Sequence, residues 1–391
     1  MKKFKTLTIL LPAALLTFLL IRMFTAPTDL ELATTFVLPD FPSLTEALPQ
    51  NLTEKYAIAI DGELAYANNS ESQPTASTAK MLLALMVMEK RPFALGETGE
   101  TIEITQEFYN LYTWYIANGG SYTPVQIGEQ ISEYDALASA LLPSSNNMAD
   151  TLAIWAFGNL ENYRAYATKR LQDWGITGLT VGTDASGFSE TTTASAATLA
   201  LLGQKLMENP VLAEIVSKKS QDIPVAGTIK NTNQLLGTKG IIGIKTGFIG
   251  DPSGYCLVSA YREGDHLITL AVLDAPTRAD SFTTSEVIIS TLQDNVKDAL
   301  LATSGTEIGY YNSWWNGQTP IRLESDASAL GWQDATQSIT LDIPSAPNAS
   351  SPSGVLSLTL GNTSYAFPVS AENLQPAPSL WDRFLYAIYL K

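Results

Sequence analysis

Ser77-Thr78-Ala79-Lys80 stands at the head of an apolar run, Met81 to Met88. A serine and a lysine at that spacing are residue types for nucleophilic catalysis without histidine. A serine hydroxyl is a weak nucleophile until a base takes its proton, and lysine can be that base only when its amine is held well below its ordinary pKa. Side chains three residues apart share one face of a helix about a turn apart, so the amine can reach the hydroxyl. Met81 to Met88 is apolar nearly all round, the pattern of a buried helix. Desolvation at the mouth of such a helix, and a second lysine, Lys245, would both favour the neutral amine. The helix N-terminus favours negative charge developing on Ser77. Standing alone, the pair reads better as an N-cap and a solvated helix lysine than as a catalyst.

Two further motifs follow in chain order, Ser144-Ser145-Asn146 and Lys245-Thr246-Gly247. The first lies in a turn after Pro143, where polar side chains can point into a cleft without breaking a ladder. Its serine could relay a proton to a leaving amine, and its asparagine could hold Lys80 and a substrate amide through its donor and acceptor. Ser145 with Asn147 spells the same pattern, so the residues leave the frame open. In the second motif Lys245 offers positive charge and Thr246 a hydroxyl, a combination suited to a carboxylate. Gly247 leaves a strand edge bare, so a peptide could pair along it as an added strand. Strand alternation sends neighbours to opposite faces, so spacing does not bring both Lys245 and Thr246 into one site.

Composition narrows the chemistry. His266 is the only histidine, after Gly264-Asp265 in a turn, which counts against a Ser-His-Asp hydrolase. Cys256 is the only cysteine; no intramolecular disulfide or cysteine-based metal site can form, and its neighbours Tyr255 and Leu257 suit a buried strand thiol. The net charge of -16 argues against nucleic acid as a partner, since phosphate binding needs basic patches. The acidic residues offer no further site, and most read as solvated surface.

The elements that must position these residues can be read in outline. Lys2, Lys3 and Lys5 precede an apolar stretch from Leu7 to Ile21, with Arg22, Met23 and Phe24 after it. That is a signal or an uncleaved anchor, residues 1–26, with its lysine end in the cytoplasm and the bulk of the chain facing outward. Prolines at 27, 39, 42 and 49 make residues 27–53 read as a tether with some local structure. Asp61-Gly62 between two apolar-rich runs predicts a β-hairpin. Helices are expected from Ser132 to Leu142, Asn147 to Phe157, Tyr163 to Trp174 and Thr193 to Met207, and a long one from Asp280 to Leu301. Strands are expected over Ile241 to Phe248, Gly254 to Arg262 and Leu267 to Leu273. This order suits an α/β (α+β) sandwich of an antiparallel sheet with helices over residues 54–302. A small β-rich domain over 303–376 and an amphipathic tail over 377–391, docked on its own domain or on a membrane surface, complete the chain.

The set of motifs resembles the low-molecular-mass penicillin-binding proteins, the serine-type D-alanyl-D-alanine carboxypeptidases of the β-lactamase/transpeptidase-like superfamily, from about Thr53 to Leu301. Pro74 to Met81 is similar to that family's nucleophile segment, Asp184-Ala185-Ser186-Gly187-Phe188 with Thr193-Ala194 to its stretch between the second and third motifs, and Ala271 to Arg278 to its last core strand. The resemblance selects the Ser144 and Asn146 frame. It implies Ser77 as the acyl-ester nucleophile, Lys80 as general base, Ser144 as proton relay, and Asn146 orienting Lys80 and the peptide. Lys245, Thr246 and Gly247 would bind the substrate, and the N–H groups of Ser77 and Phe248 would form the oxyanion hole. Peptidoglycan stem peptides and β-lactams are the implied ligands, at the cell membrane, with no metal or cofactor. Ser145 where glycine or alanine is usual, and bulky Phe248, are departures that bear on substrate preference. D,D-endopeptidase or transpeptidase action on the same site, and a non-catalytic cell-wall-binding protein, are the alternatives. A class A β-lactamase is another, but its E-x-x-L-N loop has no counterpart between Asn146 and Lys245.

Overall fold

The computed structural model of the chain describes residues 2–389 apart from 252, 334 and 346–349, with side chains from residue 12 on. It divides into two compact units, Phe41–Lys297 with Gly331–Ala335, and Met1–Asp40 with Asp298–Leu330 and Thr336–Lys391.

The first unit is built on a five-stranded antiparallel sheet. Its strands are β1 (Lys55–Ile60), β2 (Glu63–Ala67), β3 (Gly243–Gly247), β4 (Tyr255–Glu263) and β5 (His266–Ala275), in the order β3-β4-β5-β1-β2. The hairpin β1–β2 closes through Asp61 and Gly62, both at positive φ (46° and 82°), the twist that a two-residue turn between right-twisted strands requires. His266 starts β5 and sets its Nδ1 2.6 Å from Asp61 Oδ2, so the lone histidine ties the hairpin to the central strand, away from the three motifs. Strands β4 and β5 are buried almost end to end, which means both faces are covered. Helix α6 (Ala196–Glu208) packs on β1 and β5, and α8 (Arg278–Asn295) on β4 and β5.

The remaining helices form a cluster around α1 (Lys80–Lys90), whose residues Lys80 to Met88 are all buried. They are α2 (Gln106–Ala117), α3 (Glu133–Leu141), α4 (Asn146–Phe157), α5 (Leu160–Asp173) and α7 (Pro210–Ser217). Side-chain caps set most starts. Ser132 accepts from Asp135 N, Ser145 from Met148 N, and Asn209, followed by Pro210 in the first turn, from Val211 and Leu212 N. Two of these helices, α2 and α7, are absent from the sequence reading, although Thr105 before Gln106-Glu107, and Phe108, Leu111, Tyr112 and Tyr115 at helical spacing, signal α2. Helix α6 starts at Ala196 rather than Thr193 because Thr193–Ala194 pairs with Gln73–Pro74 and Leu179–Thr180.

The second unit corrects two expectations. Residues 27–53 are more than a tether with local structure: Glu31–Thr34 pairs antiparallel with the distant Glu307–Ser313. Gly309 permits that approach, since a Cβ there would lie 2.4 Å from the Ala33 carbonyl oxygen. Nor does α8 continue to Leu301, because it ends at Asn295 and Asp298–Ala302 forms a strand paired with Ala327–Leu330. Six strands make the main sheet, in the order Glu31–Thr34, Glu307–Ser313, Gly317–Leu323, Thr363–Ala371, Ser353–Leu360, Gln337–Asp342. The helix Leu380–Tyr389 is capped reciprocally by Ser379 and Asp382 and stacks Tyr386 on Trp314, with the Arg22 guanidinium 5.1 Å from the Tyr386 ring centre. Leu380, Trp381, Phe384 and Ile388 remain exposed along it. The N-terminal helix Lys2–Phe24 packs against this one. Among the described residues no helix is long and apolar enough to cross a membrane; the side chains of residues 1–11, on which the expected anchor depends, lie outside those described.

Candidate active site

Thr75 to Lys80 makes the turn that presents the nucleophile. A 3-10 turn, Ala76–Ala79, leads straight into α1, and Thr78 Oγ1 donates to Thr75 O at 2.7 Å. Ala76 takes φ 48°, a left-handed conformation that costs a residue with a Cβ about 1–2 kcal/mol. Strain of this kind is held in place by surroundings. Here Gly187, itself at φ 67°, closes on the Ala76 carbonyl so tightly that a Cβ would sit 1.9 Å from its oxygen.

The Lys80 amine, 0% exposed, is the hub of the site. Nζ lies 2.8 Å from Ser77 Oγ, 2.7 Å from Asn146 Oδ1 and 2.7 Å from the Ser186 carbonyl oxygen. Burial drives its pKa down to about 7, against the opposing pull of Asp184 and Asp150. An amine with that pKa, at hydrogen-bond distance from a serine hydroxyl, meets the geometric and protonic requirements of a general base. Lys245, 1% exposed, is also held well below its ordinary value, by burial first and then by the charges of Lys80 and Arg278. Its amine donates to Thr246 O at 3.0 Å.

The two frames of the second motif have separate jobs. Ser145 caps α4 and donates to Asn147 Oδ1 at 2.6 Å, and Asn147 grips the Thr123 backbone through both N–H and C=O. That pair is structural. Asn146 turns to Lys80, and Ser144, left-handed at φ 68°, lines the cleft with a buried Oγ that finds no hydrogen-bond partner among the described residues. A buried hydroxyl without a protein partner is costly and is the state expected of one awaiting a ligand.

Ser77, Ser144, Thr246, Gly247 and Phe248 line one cleft together with Thr232, Tyr255 and Arg278. Thr246 Oγ1 and Thr232 Oγ1 are 2.6 Å apart. Gly247 lies against the nucleophile's amide: a Cβ would come within 3.1 Å of Ser77 N. A bare residue there lets strand β3 lie close against the backbone of the Ser77 turn. Phe248 stacks on Tyr255 with ring centres 4.0 Å apart, walling the cleft beside Thr246. Of the residues singled out in the sequence, Ser77, Ser144, Thr246, Gly247 and Phe248 line this cleft, Lys80 is hydrogen-bonded to Ser77 and Asn146 to Lys80, and Lys245 is buried outside the lining with its amine on the Thr246 carbonyl.

Arg278, Tyr115, Asp150 and the Ser186 carbonyl were not foreseen as parts of the site. Asp150 stands apart from the acidic residues expected at the solvated surface: it is 3% exposed, and burial raises its pKa to about 6. Its position in α4, four residues after Asn146 on the same face, was the available signal. Because acylation needs the Lys80 amine unprotonated, its rate is expected to be low at pH 5, half-maximal near pH 7 and level above pH 8. Stopped-flow acylation across that range measures it, and a flat profile would remove Lys80 as the base.

Comparison with known proteins agrees with this geometry. Over 265 residues the chain is 25% identical to a D-alanyl-D-alanine endopeptidase of Pseudomonas aeruginosa, covering 63% of this chain and 79% of that one. The fold is shared with the DD-transpeptidase of Streptomyces K15, at TM-score 0.54 and 19% identity over 65% of this chain and 98% of that one. A peptidoglycan synthesis regulatory factor (PBP3) of Streptococcus pneumoniae gives TM-score 0.62 and 18% identity over 82% and 98%. Penicillin-binding protein D2 of Listeria monocytogenes, in its ampicillin-bound form, gives 0.51 and 23% over 62% and 99%. Residues 44–277, which hold all three motifs, match the family described as D-alanyl-D-alanine carboxypeptidase, Peptidase S11. With the serine, lysine and asparagine of those motifs joined around one buried amine, the chain belongs to the D-alanyl-D-alanine carboxypeptidase family and is a serine DD-peptidase.

Proposed function

We propose that this DD-peptidase works as a carboxypeptidase, releasing the terminal D-alanine of peptidoglycan stem peptides. The observation that carries the reading is the Lys80 amine, held between Ser77 Oγ and Asn146 Oδ1 at the floor of the cleft. Ser77 Oγ attacks the penultimate carbonyl carbon as Lys80 takes its proton. Ser144 passes a proton to the departing nitrogen, D-alanine leaves, and water then splits the Ser77 ester to free the shortened peptide and the serine. Lys245, Thr246 and Arg278 suit the carboxylate next to the bond being cut. The Phe248 and Tyr255 stack favours a leaving residue with a small side chain, which is the support for a carboxypeptidase over an endopeptidase. The same reading sets the catalytic unit outside the cytoplasm. What supports that is the substrate's location and the lysine-flanked apolar run at the N-terminus.

The test is fluorescent penicillin labelling of the protein and a Ser77→Ala variant, beside assays on a D-Ala-D-Ala pentapeptide and a cross-linked peptide dimer. Stable labelling of the parent alone, with D-alanine release faster than dimer cleavage, is expected. Faster dimer cleavage would replace the carboxypeptidase reading with an endopeptidase one. No labelling and no hydrolysis would overturn the acyl-serine mechanism.

A further inference from the structure

We infer that Asp150, paired with Tyr115, is a positioning residue for Lys80, acting through the 185–186 backbone that receives the lysine amine. The inference rests on the acyl-serine reading above and deepens it. Asp150 is not among the residues that line the cleft. Its Oδ1 accepts from Ala185 N at 3.0 Å and its Oδ2 from the Tyr115 hydroxyl at 2.6 Å. Tyr115 OH is in turn 3.2 Å from Ser186 Oγ. The next residue's carbonyl oxygen, that of Ser186, takes the Lys80 amine at 2.7 Å.

A buried carboxylate is costly unless its oxygens are bonded. Both oxygens of Asp150 are spent on groups one step from the Lys80 acceptor. Asp184 holds the same loop from the other side, accepting from Ser186 N at 2.9 Å, Phe188 N at 3.0 Å and Ser189 N at 3.0 Å. The loop is thus clamped between a carboxylate on α4 and one of its own. The clamp also carries charge. Asp150 and Asp184 both favour the ammonium form of Lys80, while burial opposes it. Tyr115, Tyr163 and Lys245 are the other titratable groups coupled to this cluster.

Removing the Asp150 charge should therefore do two things. The amine loses a stabilising neighbour, so the acidic limb of the acylation profile moves to lower pH by about 0.5–1 unit. The Ser186 carbonyl loses its support, so the plateau rate falls about tenfold or more, displacements of about 1 Å being worth up to ~10². Asp150→Asn and Tyr115→Phe are compared with the parent by penicillin acylation from pH 5 to 9, with thermal melts alongside. Tyr115→Phe deletes one hydroxyl; without that donor Asp150 keeps its proton to higher pH, and the limb moves the same way. Should Asp150→Asn not fold, Tyr115→Phe decides. A shifted limb with a lowered plateau is the expected result. A parent-like limb, whether or not the plateau falls, overturns the inference, since a merely structural role would not move it. Failure of the parent itself to acylate would instead sink the acyl-serine reading, and the inference with it.

Discussion

Replacing Lys80 with methionine is expected to slow Ser77 acylation by about 10⁴-fold, because general-base catalysis and a concerted catalytic unit fail together when the base is removed. The methionine side chain fills nearly the same volume at a position with no exposure. What it lacks is the proton acceptor 2.8 Å from Ser77 Oγ. Two acceptors, Asn146 Oδ1 and the Ser186 carbonyl, lose a donor, which costs about 1–3 kcal/mol each where they stay buried. Relief of the buried amine's desolvation offsets part of that loss, so the variant should fold. Arginine would not rescue it, since a guanidinium stays protonated and cannot accept the hydroxyl proton. Penicillin labelling with a melting curve on the same sample separates the two effects. A folded methionine variant that acylates within tenfold of the parent would move the base elsewhere.

Gly187→Ala should damage stability and chemistry together. A Cβ at residue 187 would meet Ala76 O at 1.9 Å, Ala76 C at 2.7 Å and Ala79 Cβ at 2.9 Å, with φ at 67°. The left-handed backbone alone costs alanine about 1–2 kcal/mol. The overlap is with backbone, so relief requires moving either the residue before the nucleophile or the loop that lends Ser186 O to Lys80. A total destabilisation of about 3 kcal/mol follows, seen as a melting temperature lower by about 6–10 °C. The folded fraction should acylate about 10²-fold more slowly, since an ångström of displacement at the nucleophile is enough for that. Gly96→Ala is the control: its φ is 90° but a Cβ there meets nothing within 4 Å, so it should cost only the backbone's about 1–2 kcal/mol and leave acylation unchanged. Parent-like melting and acylation in Gly187→Ala would refute the close packing of the loop on the nucleophile turn.

The motifs of the chain, and the family resemblance they carry, pointed to the reaction class. Ser77 and Lys80 at the head of an all-apolar helix, with Ser144, Asn146 and Lys245-Thr246-Gly247 downstream, carry local information: helical spacing, capping and strand pattern can all be read within a few residues. For the same reason the hairpin at Asp61-Gly62, the cap at Ser132 and the strands β3 to β5 were legible in outline. Long-range pairing was not. Glu31–Thr34 reads as a proline-flanked tether until Glu307–Ser313 supplies its partner 276 residues later in chain order, counted from residue 31 to residue 307. The apolar residues after Asn295 continue a helical pattern until Ala327–Leu330 draws them into a strand.

The resemblance selects one of two overlapping frames, and the tertiary structure supplies the physical reason. Ser145 and Asn147 are pinned to Thr123, leaving Ser144 and Asn146 to face it. The tertiary structure alone decided that an aspartate in the middle of an apolar helix is hydrogen-bonded to Tyr115 and Ala185, beside the Ser186 carbonyl that takes the Lys80 amine. The physical reason is common to both: a hydrogen bond's partner and a charge's surroundings are set by three segments distant in sequence, α2, α4 and the loop 184–188, and no periodicity within one segment records what the other two bring to it.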